Sequence, residues 1–171
     1  MSDILRSSEV VIRETEESVY GWMRREGASC IEITIDAIGR TSQYDPQLTV
    51  NGVTSRVIPP FGIRLPFDEL RDAQVVPGWG AWTWCRLWMD VSDGVLHQEC
   101  DWMREPVFSR ASGDVRPGPG DCWSELERFP RDPEFVPDWL RRGYEVELKR
   151  RERNARRREA RRRKRERERS E

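Results

Sequence analysis

Histidine, lysine and asparagine are nearly missing from this 171-residue chain, which holds one His, two Lys and two Asn. With His97 as its only imidazole, the chain shows no Ser/His/Asp spacing and no HExxH. P-loop, GxGxxG and nucleophile-elbow patterns are absent as well. Catalysis therefore finds no support, and a non-enzyme without cofactor or metal is expected. The four cysteines, Cys30, Cys85, Cys100 and Cys122, form no CxxC pair. Burial as small apolar residues is their expected role, with a zinc site as the lesser reading. Apolar runs are only a few residues long, far short of the roughly 20 that a bilayer-spanning helix needs, so no membrane partner is expected. The start, Met1 to Arg6, mixes both charges and lacks a basic, apolar leader. A cytoplasmic protein with reduced thiols is the expectation.

Arginine is abundant, supplying 28 of the 30 basic residues, as a GC-rich genome would favour; a high-GC bacterium is the expected source. The formal net charge of -1 conceals a division. Residues 1–140 carry 14 Arg against 24 acids, or -10, whereas residues 141–171 carry 16 basic residues against 7 acids, or +9. Only Tyr144, Val146, Leu148, Ala155 and Ala160 are apolar beyond position 140. The reading is one acidic domain over 1–140 and an Arg-rich, helical or disordered tail over 141–171.

Periodicity outlines an α+β domain. Leu5, Ile12, Val19, Trp22 and Met23 suit a helix over 3–26, with Ser2 or Asp3 as cap and Gly27 as its stop. Ile31, Ile33 and Ile35 alternate with Glu32, Thr34 and Asp36 in a half-buried strand. Turns are expected at Gly39 and at Asp45-Pro46. Asn51-Gly52 then joins two strands in a tight hairpin. Pro66 and the acidic turn behind it are expected to open a short helix to about Gln74, which Pro77 to Gly80 would break. Later helices are expected from Asp121, as cap, to about Arg128, and from Pro137 onward through the tail.

The stretch from Ala81 to Met103 reads as a second hairpin with a two-residue turn at Asp93-Gly94. That turn pairs Val91 with Leu96, Leu87 with Cys100 and Cys85 with Trp102 on one face. It also pairs Asp90 with His97, Trp88 with Glu99 and Arg86 with Asp101, so Trp82, Trp84 and Trp88 share the other face. Two readings of that face stand: core under the first helix, or a partner-binding surface, since Trp beside Arg is the composition of interface hot spots. The candidate partner-binding residues are Trp79, Trp82, Trp84, Arg86, Trp88, Glu99, Asp101 and Glu105. Trp79, in a Gly-Trp-Gly loop, is the hardest of them to bury. Asp93, Glu99, Asp101 and Glu105 also form a carboxylate group for which solvated or paired charges are the plainer role.

In the tail, Glu145/Lys149, Glu147/Arg151, Glu152/Arg156 and Glu159/Arg163 place an acid four residues before a base, the favourable order on a helix. Such a helix would project about 40 Å at about 1.5 Å per residue. The run Arg156, Arg157, Arg158, Arg161, Arg162, Arg163, Lys164 and Arg165 is a candidate anion-binding element, with nonspecific nucleic acid as its possible partner. It carries no aromatic residue for base stacking and no apolar stripe for a membrane.

Several of these residues, in order, resemble YezG-like bacterial immunity proteins over about residues 20–140. They are Trp22, Val50 to Gly52, Leu70-Arg71, Gly80 to Trp82, Asp101-Trp102, Glu105-Pro106 and the run LERFPRDPEFVPDWL at 126–140. Cys100 stands where the family usually has an aromatic residue, and the Arg-rich extension lies outside the pattern. The resemblance implies a protein that binds and neutralises a cognate toxin domain, encoded by an adjacent gene. An acidic domain suits a basic toxin, whose approach it would accelerate. A nucleic-acid-associated protein acting through the tail is the alternative.

Overall fold

The computed structural model describes residues 7–170. Helix α1 spans Ser8–Glu26. Ser7 caps it by accepting the Val10 N–H, and Gly27 ends it in the left-handed conformation (φ 65°). The expected start at residues 3–6 and the caps Ser2 and Asp3 lie outside the described residues. Val11, Thr15, Val19 and Trp22 recur at helical spacing and form the buried stripe.

Strand β1, Cys30–Ile38, is central in a sheet of order β3-β2-β1-β4-β5, antiparallel throughout. Strand β2 is Thr41–Val50 and β3 is Val53–Arg56, joined by the expected turn with Asn51 at φ 50° and Gly52 at φ 78°. Gly39 turns the chain between β1 and β2, as expected, but Asp45-Pro46 does not. Pro46 continues β2 opposite Ile33. It lies just past the residues that pair with β3, where its missing N–H interrupts no ladder.

Helix α2, Phe61–Ala73, holds Pro66 inside it rather than at its start. Ile63, Phe67 and Leu70 form a buried stripe, and each full burial contributes about 1.5–3 kcal/mol, offsetting the interior proline's cost of about 3 kcal/mol. Strands β4, Trp84–Asp90, and β5, His97–Asp101, form the second hairpin with a register two residues from the expected one. Cys85 faces Cys100, Arg86 faces Glu99 and Trp88 faces His97. Because the shift is even, each side chain keeps its face and changes only its partner. The connection is six residues long: Asp90 accepts from Ser92, Asp93 accepts the Val95 N–H, and Glu16 of α1 accepts the Leu96 N–H. These side chains hold open a loop that Asp93-Gly94 alone would have closed in two residues.

A short hairpin of β6, Phe108–Arg110, and β7, Gly113–Val115, was not expected. Helix α3 is Pro119–Arg128, with Asp121 in its first turn accepting the Gly118 N–H rather than standing as the cap. Helix α4 runs unbroken across Asp138–Ser170. A Cβ on Gly143 would meet Cys122 Sγ at 2.4 Å, so the bare glycine permits α4 to cross α3. Leu140 and Glu147 are buried, and residues 152–169 are exposed, so the packed part of α4 passes the expected boundary at 140. The exposed length is about 28 Å at about 1.5 Å per residue, shorter than expected. Glu147–Arg151 and Glu159–Arg163 form as expected, whereas Glu145/Lys149 and Glu152/Arg156 are not among the pairs formed.

Helices α1 and α2 cover one sheet face. Val19, Trp22, Met23, Phe67 and Leu70 pack with Ile31, Ile33, Ile35, Cys85, Leu87 and Met89. A smaller core of Ile38, Phe108, Cys122 and Leu140 seats α3 and α4 at the end of β1. Between them lies a buried ionic cluster. Glu125 Oε1 and Oε2 accept from Arg71 Nη2 at 2.9 and 2.8 Å, and Oε2 also accepts the Gly39 N–H at 2.5 Å. Arg71 donates further to the Trp82 carbonyl, and Arg131 to the carbonyls of Ala81 and Trp102. Burial lowers the pKa of Arg131, opposed by Glu125. Leu70-Arg71, Gly80 to Trp82 and the FPRD run, which carry much of the resemblance, thus meet in the interior as structural joints.

Candidate partner-binding face

The helices leave the other sheet face uncovered by any helix of the described residues. Alternation along the strands assigns its occupants: Glu32, Thr34 and Asp36 from β1; Trp84, Arg86 and Trp88 from β4; His97, Glu99 and Asp101 from β5. Trp84 and Trp88 are half-buried. The Arg104 guanidinium lies 4.6 Å over the Trp84 ring and that of Arg86 4.9 Å over Trp88. His97 stacks on the other ring partner, Trp88, at 5.3 Å and 14°. The first helix therefore does not bury this face, and Trp84, Arg86, Trp88, Glu99 and Asp101 come together on it.

Their partnerships differ from the expected ones. Arg86 pairs with Glu32 on β1 at 2.7 Å, and not with Asp101. Asp101 instead accepts the N–H groups of Met103 and Arg104, fixing the turn that brings Arg104 over Trp84. His97 approaches Asp93 at 3.5 Å, and not Asp90. Asp90, holding Ser92 through two hydrogen bonds, has its pKa lowered by them. Asp36 is shifted the other way: burial raises its pKa, against the Val107 N–H that it accepts and the nearby Arg104.

Three expected members fall elsewhere. Trp82 leaves the regular ladder before β4, is fully buried among the core residues under α2, and donates to Gln74. It is no surface for a partner. Trp79 is 41 % exposed, as its loop suggested, but it stacks on Phe135 at 4.2 Å and meets Trp102 edge-on, away from the sheet face. Glu105 pairs with Arg116 after β7. The carboxylates Asp93, Glu99, Asp101 and Glu105 do not gather, and among the described residues no three His, Cys, Asp or Glu side chains form a metal-holding group. Sequence reasoning missed Glu32 and Arg104 as members of the face, and placed His97 on it opposite Asp90 without naming it as a binding residue. Glu32 and Asp36 were nonetheless marked by their alternation with the isoleucines.

Net charge on this face is negative. Glu32, Asp36, Asp45, Asp90, Glu99 and Asp101 oppose Arg56, Arg86 and Arg104. Trp84 Nε1 and Gln43 Oε1 are buried here without a hydrogen-bond partner, each costing about 1–3 kcal/mol. The arrangement offers aromatic area, guanidinium groups and carboxylates on a rigid sheet, which is binding chemistry. Comparison of the chain with models of known protein families finds no match, and comparison with curated proteins finds none either.

Proposed function

We propose that this protein is a non-catalytic immunity protein of the YezG-like kind, which binds a toxin domain made by the same cell and neutralises it. One observation carries the reading: a five-stranded sheet presents Trp84 and Trp88, flanked by arginines and carboxylates, on a face that no helix of the described residues covers. Rigid aromatic residues supply contact area at little entropic cost, and an acidic rim favours a basic partner, as a toxin that cleaves nucleic acid would be. The -10 charge of residues 1–140 adds long-range attraction that salt would weaken. The order of motif residues from Trp22 to Leu140 supplies the family reading, and the toxin gene is expected beside this one.

Co-expression tests it. The toxin domain encoded by the neighbouring gene is expected to copurify with this protein and to lose its lethality in its presence. A toxin that remains lethal and unbound beside well-folded protein would refute the proposal.

A further inference from the structure

We infer that a strip of arginines from the start of α2 to the exposed end of α4 binds the phosphate backbone of a nucleic-acid strand. This surface is distinct from the uncovered sheet face and stands independently of the toxin reading. Three clefts of about 650, 560 and 310 Å³ adjoin one another through shared residues. The first, between the β1–β2 turn and α2, takes Arg40 and Arg64 with Arg128. The second, along α3, shares Arg40 and Arg128 and adds Trp123 and Arg151. The third shares Arg151 and adds Arg150, Asn154 and Arg158.

Acids along the strip are already engaged. Asp68 accepts from the hydroxyls of Tyr44 and Ser42, Asp72 pairs with Arg128, and Glu147 pairs with Arg150 and Arg151. Glu127 accepts from the Tyr144 hydroxyl. None of the carboxylates of the uncovered sheet face lines these clefts. An acidic domain therefore carries a locally basic path.

Helix geometry extends that path. At about 100° per residue, Arg151, Arg158, Arg162, Arg165 and Arg169 fall within a sector of about 60° on α4. Ala155, Asn154 and Arg161 flank them; Glu147 shares the sector, and Glu166, at its edge, pairs with Arg162 at 3.6 Å. Glu152 and Glu159 lie on a neighbouring sector. The eight-residue basic run is thus not one surface: Arg158, Arg161, Arg162 and Arg165 continue the cleft, whereas Arg156, Arg157, Arg163 and Lys164 lie about 120–140° round the helix from Arg151, on the far side. An exposed helix of about 28 Å spans about eight phosphates at about 3.4 Å each along one strand. Arginine suits this ligand because its planar fork meets phosphate oxygens in pairs.

Fluorescence anisotropy of the full chain tests the strip, with a labelled 20-nucleotide single-stranded RNA and a 20-base-pair DNA duplex as probes. On duplex, each lost phosphate contact lowers the salt slope by about 0.9, and on single strand by about 0.7. Arg40→Ala/Arg64→Ala is expected to lower the duplex slope by about 1.8, and Arg158→Ala/Arg162→Ala/Arg165→Ala by about 2.7. Arg156→Ala/Arg163→Ala, on the far side of α4, is expected to change affinity less than twofold. All these side chains are exposed, so the melting temperature should hold and report a folded protein. The tighter probe identifies single or double strand as the natural form. Absence of binding, unchanged binding by Arg40→Ala/Arg64→Ala, or equal loss from the far-side variant would overturn the inference. So would equal competition by polyglutamate, which would make the ligand an acidic protein.

Discussion

Replacing Glu125 by Gln removes the negative charge that two guanidinium groups share in the interior. Glu125 and the side chain of Arg131 are fully buried and Arg71 nearly so. Gln keeps the length and one carbonyl oxygen, but its amide nitrogen must face either Arg71 or the Gly39 N–H, both donors. Breaking a buried pair by removing one partner's charge costs about 3–5 kcal/mol, because the remaining charge stays out of water. For a chain of this size about 1 kcal/mol corresponds to about 2–4 °C. Glu125→Gln is therefore expected to lower the melting temperature by about 6–20 °C, read by circular dichroism. Glu127→Gln, on the exposed side of the same helix, controls for helix effects and is expected to stay within about 0.5 kcal/mol. If Glu125→Gln melts within about 2 °C of the parent, the cluster does not hold α2, α3 and the β1–β2 turn together as argued.

Two further outcomes follow from local geometry. Gly143→Ala places a methyl group on Cys122 and is expected to destabilise by about 1–3 kcal/mol in urea unfolding; an unchanged midpoint would mean that α3 and α4 do not cross so closely. Asp36→Asn keeps an oxygen for the Val107 N–H while removing a charge that burial disfavours. The carboxyl's raised folded pKa means its stabilising contribution is present at low pH and lost as pH rises through that pKa. Asp36→Asn should thus melt higher than the parent at pH 7, with the difference vanishing below the carboxylate range. A difference that persists at low pH would point to a cause other than the charge.

Much of the fold was legible where one local signal acted alone. The isoleucine alternation of β1 and the Asn51-Gly52 turn left no competing arrangement, and both were read correctly. Prolines misled where a local rule met a tertiary one. Pro66 marks a helix start by itself, yet the stripe of Ile63, Phe67 and Leu70 carries α2 through it. The second hairpin kept its faces because alternation has a period of two. Its register moved because Asp90, Asp93 and the distant Glu16 hold a longer loop, and Glu16 is invisible to any local reading. The buried cluster was hidden for a related reason: Arg71 and Glu125 are 54 positions apart, and charged residues read as surface until their partners are known. Trp82 was misplaced because strict alternation was carried past the end of β4. The face of Trp84, Arg86 and Trp88 survived the register change intact, since a two-residue shift cannot move a side chain across the sheet.

The most direct test of the partner-binding face is titration calorimetry of the neighbouring-gene toxin domain against the parent and Trp84→Ala/Trp88→Ala. Hot-spot tryptophans each contribute about 2 kcal/mol or more, so the double variant, losing about 4 kcal/mol, is expected to bind roughly 700-fold more weakly. Its melting temperature should fall far less than for a core tryptophan such as Trp82. Full affinity in the double variant, with toxin still bound tightly, would place the interface elsewhere and contradict the account.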